Sequence, residues 1–152
     1  MSQEHAEEHA RVAPAALGDL ARQRLSRGGP FRFYARGLSM RPSIPDGARV
    51  TVAPLGSRSV RPGDVVLLLV GERASVHRVV ARWAGLVWTK GDLNPWTDPP
   101  VSTASVLGRV VAVEHGGSHR RLDHTADGLC GVGWAALALL AGLRGSRWPG
   151  FV

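Results

Sequence analysis

Three short stretches of this sequence carry side chains that could together perform hydrolysis. Gly37-Leu38-Ser39-Met40-Arg41-Pro42 places a hydroxyl just after the strand-like run FRFYA, between a glycine and a proline. Ser75-Val76-His77-Arg78-Val79-Val80 sets an imidazole in an apolar, β-branched run. Thr89-Lys90-Gly91-Asp92-Leu93-Asn94-Pro95-Trp96-Thr97-Asp98 supplies two carboxylates six residues apart in a Gly/Asn/Pro-rich loop. A serine hydroxyl is a poor nucleophile until a neighbouring base takes its proton. Imidazole ordinarily titrates near pH ~6.5, so it can act first as base and then as acid at neutral pH. A carboxylate on its second nitrogen fixes the tautomer and steadies the imidazolium. The three stretches therefore hold the parts of an activated serine.

Each part also has a bland reading. Loop serines commonly form turns or caps, and an aspartate beside a glycine commonly makes an Asx turn. His77 stands out as the one histidine of six inside an apolar run. His5 and His9 lie in a polar arm, and His115, His119 and His124 in the polar stretch after the last strand-like run. Strand alternation puts Ser75, His77 and Val79 on one face and Val76, Arg78 and Val80 on the other. Gly37, two residues before Ser39, and Pro42, three after, fix a turn and let another backbone approach closely. The residues alone leave open whether Asp92 or Asp98 orients His77.

These groups need a scaffold, and the rest of the chain describes one. Its 152 residues are 44% hydrophobic and 20% charged, which suits one globular domain. Short runs rich in β-branched and aromatic residues (FRFYA, ARVTVA, DVVLLLV, SVHRVVARW, LVWTK, VLGRVVAVEH) are separated by Gly, Pro and Asp. They predict a mostly-β body of coiled antiparallel sheets or a partly open barrel. Before it, Pro14 to about Arg27 predicts a short helix with Ala15, Ala16, Leu17, Leu20, Ala21 and Leu25 on one face, ended by Gly28-Gly29-Pro30. The chain thus divides into an arm and helix (1–30), a core (31–123) and a tail (124–152). In that tail, residues 128–143 form an uncharged run of sixteen, between the length of a buried helix and that of a bilayer span. The predicted apolar C-terminal helix is either membrane-associated or buried in a protein contact.

One cysteine, Cys130, excludes an intramolecular disulfide and a cysteine-rich metal site. The formal charge is +7, and every cation except Lys90 is an arginine. The arginines are spread along the chain without interleaved aromatics, which predicts a solvated basic surface and no specific nucleic acid.

Taken in order, the strand leading to GLSMRP, then RPGDVV, VHRVV, TKGDLNPWTD and VLGRV resemble the catalytic core of type I signal peptidases. The likeness is to the branch found in archaea, the endoplasmic reticulum and some spore-forming bacteria, and it runs from Phe31 to Val113. The bacterial leader-peptidase branch would carry a lysine where this chain has His77. The resemblance implies Ser39 as nucleophile, His77 as general base and later acid, and Asp98 as the acidic partner of the histidine. It implies Asp92 as a second important aspartate, and Gly37, Met40 and Pro42 as substrate, oxyanion or structural support. Gly37 offers no hydroxyl, so oxyanion stabilisation would rest on backbone groups, first the Ser39 N–H. The family binds its protein or peptide substrate as an added strand and reads small residues before the cut. No metal and no organic cofactor are expected.

The chain departs from that family in having no membrane helix before the serine. The expectation is a serine endopeptidase, cytoplasmic or membrane-associated through residues 128–143, that removes a leader from a protein substrate. General secretory processing is the next choice. Two rivals remain: a self-cleaving repressor-like peptidase, which would use a lysine base, and a non-catalytic basic β-barrel binding module.

Overall fold

The computed structural model describes residues 14–122. The six strand-like runs become β1 (Phe31–Tyr34), β2 (Arg49–Ala53), β3 (Val65–Val70), β4 (Arg73–Trp83), β5 (Leu86–Lys90) and β7 (Val106–His115). Two short strands were not evident from the sequence, β6 (Val101–Ser102) and β8 (Ser118–Arg121). All eight form one antiparallel sheet in the order β1-β2-β7-β3-β4-β5-β6. β8 pairs the far end of β7, opposite Ala112–His115, beyond the Val106–Arg109 stretch that faces β3. The body is mostly β, as expected, and its strands form one antiparallel sheet that does not close.

Its core lies on both faces. β3, VVLLLV, is buried on both sides, as a central strand with near-continuous apolar sequence must be. Val65 and Leu67 join one cluster with Met40, Ile44, Val50, Val52 and Val110; Val66 and Leu68 join another with Val60, Val79, Val87 and Val106. Each fully buried aliphatic side chain contributes about 1.5–3 kcal/mol. Register irregularities at Thr51/Val52, Leu67/Leu68 and Val79/Ala81 bend the strands. Gly108 permits the tight crossing of β7 and β2, since a Cβ there would come within 2.6 Å of the Ala53 carbonyl oxygen.

The helix α1 (Pro14–Ser26) lies where the sequence put it, but it buries a narrower face. Gly18, Ala21 and Leu25 are buried at i, i+3 and i+7, whereas Leu20 is 45% exposed and Ala16 is exposed. At 3.6 residues per turn, Leu20 sits about 130° around the helix from that line. No helix among the described residues is long and apolar enough to cross a membrane. The predicted apolar C-terminal helix at 128–143 and the arm before residue 14 lie outside the described residues.

Candidate active site

His77 comes from β4, where its Cα partner is Val66 on β3. The alternation expected from sequence holds: Val79 packs in one core cluster and Val76 against the other. His77 thus emerges on one face of β4 and Arg78 on the opposite face.

Ser39 follows β1 on a turn held at both ends. The Gly37 N–H donates to Asp46 Oδ1 at 2.8 Å. Beyond the serine, Arg41 N–H donates to the Leu38 carbonyl and Ile44 N–H to the Met40 carbonyl. Met40 and Ile44 are buried and anchor the turn in the core. Met40 is therefore a structural support, and Pro42 stands exposed after a cis Arg41–Pro42 peptide. Gly37 corrects one expectation. Nothing lies within 4 Å of where its Cβ would be, so no other backbone approaches it; what requires glycine is a φ of +104°.

The close approach occurs instead at Gly91. A Cβ there would sit 2.7 Å from the Ser39 carbonyl oxygen and 2.7 Å from the Asn94 amide nitrogen. The same carbonyl accepts the Leu93 N–H at 2.8 Å, and Asn94 N–H donates to the Gly91 carbonyl. The loop that bears Asp92 and Asp98 is thereby fastened to the backbone of Ser39. Gly91 was passed over in the sequence because a glycine before an aspartate reads as an ordinary turn; only the partner backbone reveals its use. We expect Gly91→Ala to push the loop off the Ser39 carbonyl and to cost about 1–3 kcal/mol of stability, the usual cost of forcing an extra methyl into a packed site. Thermal melts check this, and an unchanged melting temperature would mean that the loop accommodates the methyl without leaving Ser39.

The serine turn, strand β4 and the loop after β5 bring Ser39, His77 and Asp98 together. His77 Nδ1 lies 2.5 Å from Asp98 Oδ2, and His77 Nε2 lies 3.3 Å from Ser39 Oγ. With Nδ1–H donating to the carboxylate, Nε2 is free to accept the serine hydroxyl. The second contact is long, as such contacts are before substrate tightens them. The His77 side chain is 15% exposed and that of Asp98 30%. Thr89 Oγ1 also donates to Asp98 Oδ2, at 2.7 Å. Burial pushes the Asp98 carboxyl up, but the hydrogen bonds from His77 and Thr89, with the charge on His77, hold it below its ordinary value.

That lowering has a sign for stability. The folded state binds the Asp98 proton more weakly than the unfolded chain, so ionised Asp98 stabilises above the ordinary carboxylate range, near pH ~4, and the stabilisation is lost as pH falls through the folded value. Asp98→Asn lacks that term. Thermal melts of the two proteins should differ at pH 6, and the difference should begin to shrink only as pH falls below about 4.

Asp92 plays a different part. Its two oxygens accept from Arg78 Nε and one terminal nitrogen, both at 2.8 Å. Arg78 also donates to the Gly63 carbonyl at 3.0 Å and to Ser43 Oγ at 3.1 Å. One buried guanidinium thus ties β4, the Pro62-Gly63 turn, the serine turn and the acid loop together. The question left open by the sequence is answered by geometry: Asp98 faces His77, and Asp92 clamps Arg78. Arg78 was missed because an arginine beside a histidine on a strand reads as a solvated charge. Lys90 alternates with Thr89 along β5 and so points away from the face where Thr89 meets Asp98.

Among the described residues, no three His, Cys, Asp or Glu side chains come together as metal ligands. What the arrangement can do is polarise the Ser39 hydroxyl and hold the resulting imidazolium. Compared with known proteins, the chain matches no family model and no curated protein.

Proposed function

We propose that this protein is a serine endopeptidase of the signal-peptidase type, working through Ser39, His77 and Asp98. The observation that carries the reading is the line of contacts from Asp98 Oδ2 through both ring nitrogens of His77 to Ser39 Oγ. His77 takes the Ser39 proton as Oγ attacks the scissile carbonyl, and returns it to the leaving amine when the acyl-enzyme forms. Water then enters by the same route and releases the new carboxyl end. Asp98 keeps the imidazole in the required tautomer and stabilises its charged form. The Ser39 N–H is the first donor to the developing oxyanion.

The edges of the sheet support binding of a peptide as an added strand. Among the described residues β1 pairs only with β2, and β4 meets β5 from Arg78 onward, so that its Arg73–His77 portion is strand-paired with β3 alone. Exposed Leu38, Leu93 and Trp96 lie on the serine turn and the acid loop, which suits an apolar leader segment or a lipid surface beside it. The binding-module reading gives no reason for a serine, a histidine and a carboxylate to meet in this order, and the repressor-like reading needs a lysine that faces the wrong way.

The test is cleavage of a peptide library with small residues before the scissile bond. Wild-type protein and Lys90→Met should cut alike, while His77→Ala should fall by at least about a thousandfold. Full activity in His77→Ala, or its loss in Lys90→Met with the fold intact, overturns the reading.

A further inference from the structure

We infer that Thr89 is a positioning residue of this site, its hydroxyl clamping the Asp98 carboxylate against His77. Thr89 is 1% exposed, and a hydroxyl so buried is costly unless it is hydrogen-bonded. Its one donor goes to Asp98 Oδ2, the same oxygen that accepts His77 Nδ1–H. Its backbone is used as well: the Asp98 N–H donates to the Thr89 carbonyl at 2.7 Å. Residue 89 therefore holds residue 98 at both backbone and side chain, whereas the loop's other anchors, at Asp92, Leu93 and Asn94, lie four to six residues before Asp98. Leu93, Pro95, Trp96 and Thr97 are all exposed.

The register explains why position 89 has this role. Thr89 is the Cα partner of Val79, two residues along β4 from His77 and on the same face. The rigid centre of the sheet thus supports both the base and, through Thr89, the acid. An apolar β-branched residue would fill the same space and satisfy the strand equally well. The hydroxyl adds, beside His77, a second donor that fixes which way the carboxylate points.

Thr89's effect on catalysis rests on the serine–histidine reading above; its hold on Asp98 does not need turnover. The experiment therefore has two arms, run on the full chain as wild type, Thr89→Val and Thr89→Ser. In the first, carbon NMR follows the Asp98 carboxyl through its acid titration. Thr89→Val should move the midpoint upward, and Thr89→Ser should leave it near wild type. In the second, kcat for peptide cleavage should fall about ten- to a hundredfold in Thr89→Val with KM within about twofold, and recover in Thr89→Ser. An unmoved midpoint, an unchanged kcat, or a serine variant as poor as the valine one overturns the inference. If wild-type protein does not cleave peptides, the serine–histidine reading fails, and the titration alone decides whether Thr89 holds the carboxylate. Should Thr89→Val not fold, Thr89→Ala against Thr89→Ser makes the same comparison.

Discussion

Ser39→Ala should leave a folded chain whose peptide cleavage has dropped by at least about a thousandfold, and by as much as ~10⁶ where the chemical step limits turnover. The substitution deletes only Oγ. The turn is anchored by buried Met40 and Ile44, and the Ser39 carbonyl that holds the acid loop belongs to the backbone. Melting should accordingly move by no more than a degree or two. Because nucleophile and base act as a unit, Ser39→Ala combined with His77→Ala should be scarcely worse than either alone. Losses that multiplied in the double variant would indicate two independent contributions and a different mechanism. Retention of cleavage in Ser39→Ala, with the same products, would remove the serine from the chemistry.

The second large effect is on stability. Arg78→Leu should cost about 3–5 kcal/mol, because it leaves the Asp92 carboxylate buried without its partner. Arg78 and Asp92 side chains are 10% and 15% exposed, so solvent can do little to replace the lost contacts. The same substitution also frees the Gly63 carbonyl and Ser43 Oγ. Denaturant titration should give an earlier midpoint with the slope nearly unchanged. Asp92→Ala should be similarly harmful, and removal of both partners should cost clearly less than the sum of the two. Additive losses would mean that the pair does not act as a clamp.

Much of this was readable before any coordinates. The alternation around His77 assigned its face correctly because β4 is regular up to Val79. The six longer strands announced themselves by β-branched runs between turn residues. What escaped was whatever depends on a partner distant in sequence. β8 reads as plain surface, since all of Ser118–Arg121 is exposed, and the two residues of β6 have no period to detect. Gly37 and Gly91 look alike in sequence, yet one is needed for its backbone angle and the other for an oxygen from residue 39. The roles of Asp92 and Asp98 could not be separated by spacing, because the choice is made by which face of β4 each meets. Arg78 and Thr89 were invisible as site residues for the same reason.

The bond between the Leu93 N–H and the Ser39 carbonyl carries a last implication. Ser39 and Asp98 do not arrive at the imidazole independently; the segment bearing one is laced to the segment bearing the other. Opening the Gly91–Asp98 excursion would withdraw the carboxylate and loosen the alcohol in a single motion, while the sheet beneath stayed whole. On the proposed mechanism, that one excursion would arm or disarm both groups together.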